Sequence, residues 1–402
     1  MKSLVLGYGR SGKAAEALLC RSGFLVTVLD DEAVFPEGCF DVAIVSPGVA
    51  LTHPWIVEAR RRGIPLKSEL QLGCEELKRQ GWKLLAVTGS KGKSSVVKVV
   101  ADAINLSGAH AVPCGNYGLP VCEVANSNTQ TLQGSNTERW AVVEVSSFMM
   151  ETTTLPPDTF EAAAILNLQE DHLDRHGSVA VYHGLKRKLL TMAKLRFKCA
   201  ATGMPPFPWA GSYFDNEILA GNAAIAAELM RVAGLDEDMI RRTFCAFQPL
   251  PHRMNLVAKI DGVRYVDDSK ATSLAALVAG IKMASSGIRT FGHLDIRMIR
   301  LIAGGLPKGD DPKMALSTLT ERVKKVYLIG QSAEAFFAAW NGAVDCEICG
   351  TIEKAVETVR REAEKGETVL LSPGTASFDQ FKSYGERGEV FARLVKEKGQ
   401  PK

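Results

Sequence analysis

Short apolar runs recur along the chain, and most end at a glycine, an acid or a hydroxyl residue before a helix-like pattern begins. Runs at 3–6, 25–30, 42–46, 84–87, 140–145, 162–167, 264–266, 300–303, 325–329 and 368–371 read as strands buried on both faces. Between them apolar residues fall at helical spacing, as at Val96, Val97, Val99 and Val100. This alternation predicts an α/β fold with largely parallel sheets. At 402 residues the chain is long for one core. It is expected to form three domains: Rossmann-like over 1–82, P-loop-like over 83–249, and Rossmann-like again over 250–402. The pair Pro249 and Pro251 suits the second joint. The polar stretch 127–137, and 204–209 with its three prolines, read as loops.

Composition narrows the functional classes. A net charge of +3 is too small to indicate a nucleic-acid or membrane surface. No apolar run approaches a membrane span or a signal-peptide core, so a cytoplasmic location is expected. The nine cysteines are scattered without a framework. Cys346 and Cys349 alone have Cys-x-x-Cys spacing, with no second pair to complete a zinc site, and are read as structural.

The densest chemical signal is Thr88-Gly89-Ser90-Lys91-Gly92-Lys93-Ser94-Ser95, which joins a strand to a helix. Backbone N–H groups at the helix start can hold a polyphosphate, Lys93 can reach its terminal phosphates, and Ser94 can face Mg²⁺. The loop is shorter than the usual one, since Gly89 stands three residues before Gly92. An ordinary glycine-rich turn is the other reading. Gly7-Tyr8-Gly9-Arg10-Ser11-Gly12 follows the first strand, with Asp30 at the end of the next. This is the dinucleotide fingerprint, a geometry that can hold any nucleotide diphosphate.

Other polar clusters also sit at strand ends, where parallel sheets place their chemistry. Glu144 suits a Mg²⁺ ligand or a solvated strand end. His172 and His176 have a spacing that could face zinc from a helix, but Asp171 and Asp174 favour a hard cation, and a capped helix start is a third reading. Segments 266–272, 303–309 and 372–381 place Lys270, Lys308 and several hydroxyls at the top of a third sheet, suited to carboxylates or phosphates.

Taken in order, these segments resemble the Mur ligases, ATP-dependent enzymes that append amino acids to the peptidoglycan stem peptide. The phosphate loop resembles the family's Thr-Gly-Thr-Asn-Gly-Lys-Ser-Thr, with Lys91 in place of Asn. Segments 115–120, 144–148, 171–175, 250–253 and 268–272 also match. The Rossmann-like start, 372–381, Tyr384 and Glu386-Arg387-Gly388 are similar to the D-glutamate-adding branch.

The resemblance implies the following assignments. Gly7, Arg10, Ser11, Asp30, Ser46, Pro47 and Gly48 would hold the uridine diphosphate part of UDP-N-acetylmuramoyl-L-alanine. Gly89, Ser90, Lys91, Gly92, Lys93, Ser94 and Ser95 would hold ATP, with Asn222, Arg253, Asp268 and Lys270. Two Mg²⁺ sites would use Ser94, Glu144, His172 and a carbamylated Lys186, which follows Tyr182 by four residues. Asn116 and His252 would lie near the reacting centre. Thr272, Lys308, Ser377, Phe378 and Tyr384 would take D-glutamate.

Some alternatives stay open. Lys186 could be a surface lysine on an amphipathic helix. The family's His-Asn-x-x-Asn adenine segment is represented only by Asn222, and the stretch from Lys186 to Asn222 is short for the family. Another ligase of the family with a different acceptor, or a nicotinamide dehydrogenase, are the rival functions. A monomer acting on small molecules is expected.

Overall fold

The computed structural model describes residues 1–31, 33–127, 137–198, 212–216, 218–286 and 298–397. Of the loops expected at 127–137 and 204–209, residues 128–136 and all of 204–209 lie outside the described residues. Two compact units are formed, Met1–Phe214 with Leu219–Phe247, and Asp215–Ile218 with Gln248–Lys402.

The first unit opens with β1 (Lys2–Leu6), α1 (Arg10–Arg21), β2 (Leu25–Leu29), β3 (Val42–Val45), α2 (Pro54–Arg61), β4 (Leu66–Ser68) and α3 (Glu69–Arg79). Its strands form a parallel sheet of order β2-β1-β3-β4. The chain reverses direction across this sheet at β1, so the loops after β1 and β3 flank the crevice where open α/β sheets bind ligands.

The same unit continues through β5 (Lys83–Thr88), α4 (Lys93–Leu106), β6 (His110–Gly115), α5 (Val121–Asn126), β7 (Arg139–Glu144) and α6 (Ser147–Met150). Then come β8 (Phe160–Ile165), α7 (Leu173–His176), α8 (Val179–Leu190), β9 (Ala193–Lys198), α9 (Ala220–Val232) and α10 (Glu237–Ala246). The second sheet, β6-β7-β5-β8-β9, is wholly parallel. Hydroxyl caps start several of these helices: Ser146 accepts from Met149 N, and Ser178 from Val181 N. The first two sheets share one continuous apolar cluster, in which Val5, Leu18, Cys74 and Leu77 join Cys114, Val121, Cys122 and Val143.

The second unit holds β10 (Asn255–Ile260), β11 (Val263–Asp267), α11 (Leu274–Ser286), β12 (Ile299–Gly304), α12 (Leu316–Arg322), β13 (Val323–Ile329), α13 (Ala333–Trp340), β14 (Asp345–Gly350), α14 (Ile352–Glu362), β15 (Thr368–Leu371) and α15 (Tyr384–Glu397). Its sheet runs β10-β11-β15-β12-β13-β14, antiparallel only at the β10–β11 edge. Buried Arg300 on β12 is neutralised by Glu367 at 2.6 Å and bonded to the Tyr327 hydroxyl at 2.7 Å, as a buried charge requires.

The fold class matches the expectation. Strands β4, β6, β9, β10 and β14 are additions to the sequence reading. Cys346 and Cys349 lie on β14 and pack into opposite apolar layers, so they do not face one ligand. No helix among the described residues is long and apolar enough to cross a membrane.

Candidate active site

The glycine loop after β1 turns into α1 with no room for a side chain at Gly7 or Gly12. A Cβ at Gly12 would collide with the Gly7 carbonyl, which also accepts from Ser46 Oγ at 2.7 Å. Ser46 stands at the end of β3, so this bond joins the two loops of the crevice. Asp30 Oδ1 accepts from Tyr8 N at 3.2 Å and fixes the turn from the other side. The resulting cavity of about 470 Å³ is lined by Gly7, Arg10, Ser11, Asp30, Ser46, Pro47 and Gly48, every residue assigned to the uridine diphosphate group. It extends to Gly115, Asn116 and Pro120, at the end of β6 and beyond.

The phosphate loop after β5 is held by the exit of β8. Asn167 clamps Lys91 from both sides, accepting from its N–H at 2.8 Å and donating to its carbonyl at 2.9 Å. Ser90 Oγ donates to Gln169 O at 3.0 Å and lies 3.2 Å from the Tyr182 hydroxyl. Gly92, with φ +84°, caps α4, and a Cβ there would strike the Asn222 amide. Asn222, on α9, therefore packs against the phosphate loop itself. Ser94 lies in the first turn of α4, and Lys91 Nζ lies 3.7 Å from Asp171.

Two lysines converge on one carbonyl of this loop. Lys93 Nζ donates to Gly89 O at 2.7 Å and Lys186 Nζ donates to the same oxygen at 3.0 Å. Lys186 is 2% exposed, so it is not a surface lysine. Its ammonium lies over the Tyr182 ring, 4.5 Å from the centroid. Burial, reinforced by Lys93, pushes its pKa down to about 7 against the opposing pull of Asp171 and Glu144. Such a lysine is partly an uncharged, nucleophilic amine at neutral pH.

Glu144 is buried at the end of β7. One oxygen accepts from Asn116 Nδ2 at 2.8 Å, while Oε2 is buried without a protein partner. An orphaned carboxylate oxygen is costly unless a cation or its water meets it. Among the described residues no three His, Cys, Asp or Glu side chains gather around one point. The orphaned Glu144 oxygen suits Mg²⁺, which takes one or two protein oxygens and draws the rest from phosphates and water.

His172 and His176 part company. His172 is the exposed cap of α7, with φ +52°. His176 turns inward, with Nε2 3.0 Å from Ser147 Oγ and Nδ1 3.4 Å from Glu151. Burial lowers its pKa. Both its ring nitrogens are engaged, which overturns the paired zinc alternative.

In the second unit, three loops meet at the C-terminal ends of β11, β12 and β15. Leu306 and Ala376 form an antiparallel bridge, and Gly374 N donates to Ala271 O at 2.8 Å. Thr272, Lys308 and Ser377 are thereby carried on adjoining loops; Ser377 is buried and Phe378 exposed. His252 Nδ1 lies 2.7 Å from Asp267 Oδ2, and Lys270 Nζ lies 3.7 Å from the Tyr384 ring centroid. Asp268 accepts from Ser372 Oγ at 2.9 Å, and burial pushes its carboxyl up to about 7. Arg253 joins the turn through its N–H, which donates to Asn255 Oδ1 at 2.9 Å.

Arg387, fully buried, stitches these loops by donating to Ser269 Oγ and O and to the carbonyls of Thr375 and Ala376. Arg387, Asn167 and Arg175 stand in or beside the family-like segments, but residue type alone assigns them no role. Position at a strand end was the one available signal, and only for Asn167.

Comparison with known proteins agrees with this geometry. Residues 87–198 match the Mur ligase middle domain, and 252–374 match the Mur ligase, glutamate ligase domain. The UDP-N-acetylmuramoylalanine--D-glutamate ligase of Acidobacterium capsulatum is 31% identical, over 98% of this chain and 96% of that protein. Its counterpart in Nitratidesulfovibrio vulgaris is 32% identical, over 98% and 95%. The crystal structure of MurF ligase from Thermotoga maritima in complex with ADP shares the fold with a TM-score of 0.60, at 14% identity over 98% of this chain and 95% of that one. The chain belongs to the Mur ligase family, on the branch of the UDP-N-acetylmuramoylalanine--D-glutamate ligases.

Proposed function

We propose that the chain joins D-glutamate to the L-alanyl carboxylate of UDP-N-acetylmuramoyl-L-alanine, with ATP cleaved to ADP and phosphate. The observation that carries this reading is the reach of the first cavity. It runs from the glycine loop to Asn116, whose amide holds Glu144 with a free oxygen. A ligand bound at the glycine loop would thus extend its far end toward the carboxylate that suits a cation.

In this reading the substrate carboxylate attacks the γ-phosphoryl group in line, giving an acyl phosphate and ADP. Mg²⁺ would supply charge neutralisation on the phosphates, held by Glu144, His172, Ser94 and a carbamate on Lys186. Lys93 exchanges its loop carbonyls for the phosphates. Lys186, as the neutral amine favoured by its burial, forms an N–C bond to CO₂ and releases one proton, giving a carbamate anion with oxygen donors. The amine of D-glutamate then attacks the acyl carbon, a tetrahedral intermediate forms, and phosphate leaves as the amide forms with loss of a proton. Thr272, Lys308, Ser377, Phe378 and Tyr384 would hold the D-glutamate carboxylates.

We assign the domains to 1–82, 83–249 and 250–402, supported by one sheet in each. Nucleotide substrates favour a cytoplasmic place. The test is phosphate release with UDP-N-acetylmuramoyl-L-alanine, Mg-ATP and single amino acids. D-Glutamate should stimulate it and L-glutamate should not; stimulation by L-alanine or a diamino acid instead would overturn the acceptor assignment.

A further inference from the structure

Arg175 sits in the short turn α7, three residues after His172, and its guanidinium spans three parts of the first unit. Its terminal nitrogens donate to three successive carbonyls of the loop after β3: Val49 at 2.9 Å, and Pro47 and Gly48 each at 3.3 Å. Glu151, just past α6, accepts from Arg175 at 2.7 and 3.2 Å and fixes the plane of the fork. The guanidinium also lies 4.9 Å from the Phe148 ring centroid, and that ring is 4.8 Å from the His172 ring. The Arg175 side chain is only 16% exposed, and that of Glu151 7%.

A surface ion pair would explain none of this. A planar fork with five donors is the one side chain that can collect consecutive carbonyls and a carboxylate at once. The carbonyls it collects belong to the loop lining the cavity of the first sheet, and the turn it springs from carries His172.

We propose that Arg175, oriented by Glu151, is a positioning residue that ties the UDP-substrate loop at 47–49 to the His172 turn. It fixes how far the reacting end of the substrate stands from the cation site. The idea rests on the ligase reading for its kinetic assay, but substrate binding tests it separately.

The experiment compares Arg175→Met, Arg175→Lys and Glu151→Gln with the wild type. Calorimetry gives affinities for UDP-N-acetylmuramoyl-L-alanine and for ADP, and phosphate release gives kcat and each KM. Arg175→Met should weaken the UDP-substrate by about tenfold or more, the scale of lost charge-assisted hydrogen bonds. Its kcat should also fall, while ADP affinity stays within about twofold, a split that general loosening of the fold would not produce. Arg175→Lys, with one donor point, should recover only part, and Glu151→Gln should fall between it and the wild type.

Unchanged UDP-substrate affinity in Arg175→Met overturns the proposal. So does parallel loss of both ligands in all three variants. If wild-type phosphate release proves independent of D-glutamate, the ligase reading fails, and the two calorimetric affinities still decide the role of Arg175.

Discussion

At the residue scale, Lys186 shows how one environment sets both chemistry and stability. Its amine, buried beside Lys93, loses its proton at about pH 7, whereas in the unfolded chain it does so near 10.5. Between those values the unfolded chain holds more protons than the folded one, so stability rises with pH across the window. Lys186→Met should therefore be at least as stable as the wild type in CO₂-free buffer at pH 7. It should also lack the part of the pH slope due to this group, as urea unfolding at pH 7 and 9 will show. The same variant should lose about 10²-fold or more in turnover, because charge neutralisation dominates phosphoryl transfer. Wild-type activity at limiting CO₂ should fall as pH drops below about 7, where the ammonium cannot form a carbamate. A fully active Lys186→Met would remove the carbamate from the mechanism. The family resemblance, with Tyr182 four residues earlier, pointed to Lys186, and position at a strand end pointed to Glu144; both side chains are buried. The grip of Asn167 on Lys91 and of Arg175 on 47–49 was not legible in the sequence, because both act on backbone atoms far away in sequence, which residue type does not encode.

At the element scale, the interior strands were legible, and of the edge strands only β2 was. β4, β6, β9, β10 and β14 all lie at sheet edges. An edge strand is paired on one side and half solvated, so it need not carry a continuous apolar run, although β2 does. Thus β9 sets Lys194, Arg196 and Lys198 among its apolar residues, and β6 contains Pro113. β14 likewise sets Asp345 and Glu347 among Cys346, Ile348 and Cys349. Since Cys346 and Cys349 pack on opposite faces, Cys346→Ala with Cys349→Ala should leave metal content and turnover unchanged, with a stability loss of about 1–2 kcal/mol in urea unfolding. The glycine loop was legible because only glycine fits at positions 7 and 12. Gly12→Ala drives a Cβ into the Gly7 carbonyl, so it should abolish measurable UDP-substrate binding by calorimetry while ADP binding persists.

At the scale of the whole molecule, the loops proposed for the UDP-substrate and for D-glutamate fall in different units. The first two sheets share one buried cluster, which the expectation of separate domains did not foresee, because α3 and α5 pack through residues that each look like an ordinary helix face. The residues lining the cavity proposed for the UDP-substrate, from Gly7 to Met149, all belong to the first unit. The loops carrying Thr272, Lys308 and Ser377 belong to the second. Hydrogen exchange on the intact chain should show this division directly, since bound ligand suppresses local opening where it makes contact. UDP-N-acetylmuramoyl-L-alanine alone should protect amides at 7–12, 46–49 and 115–118, and leave 305–309 and 374–378 at their free rates. D-Glutamate, added to the chain holding UDP-substrate and a non-hydrolysable nucleotide, should protect 305–309 and 374–378, and L-glutamate should not. Protection of 7–12 by D-glutamate alone, or of 305–309 by the UDP-substrate alone, would show that the two ligands are assigned to the wrong units.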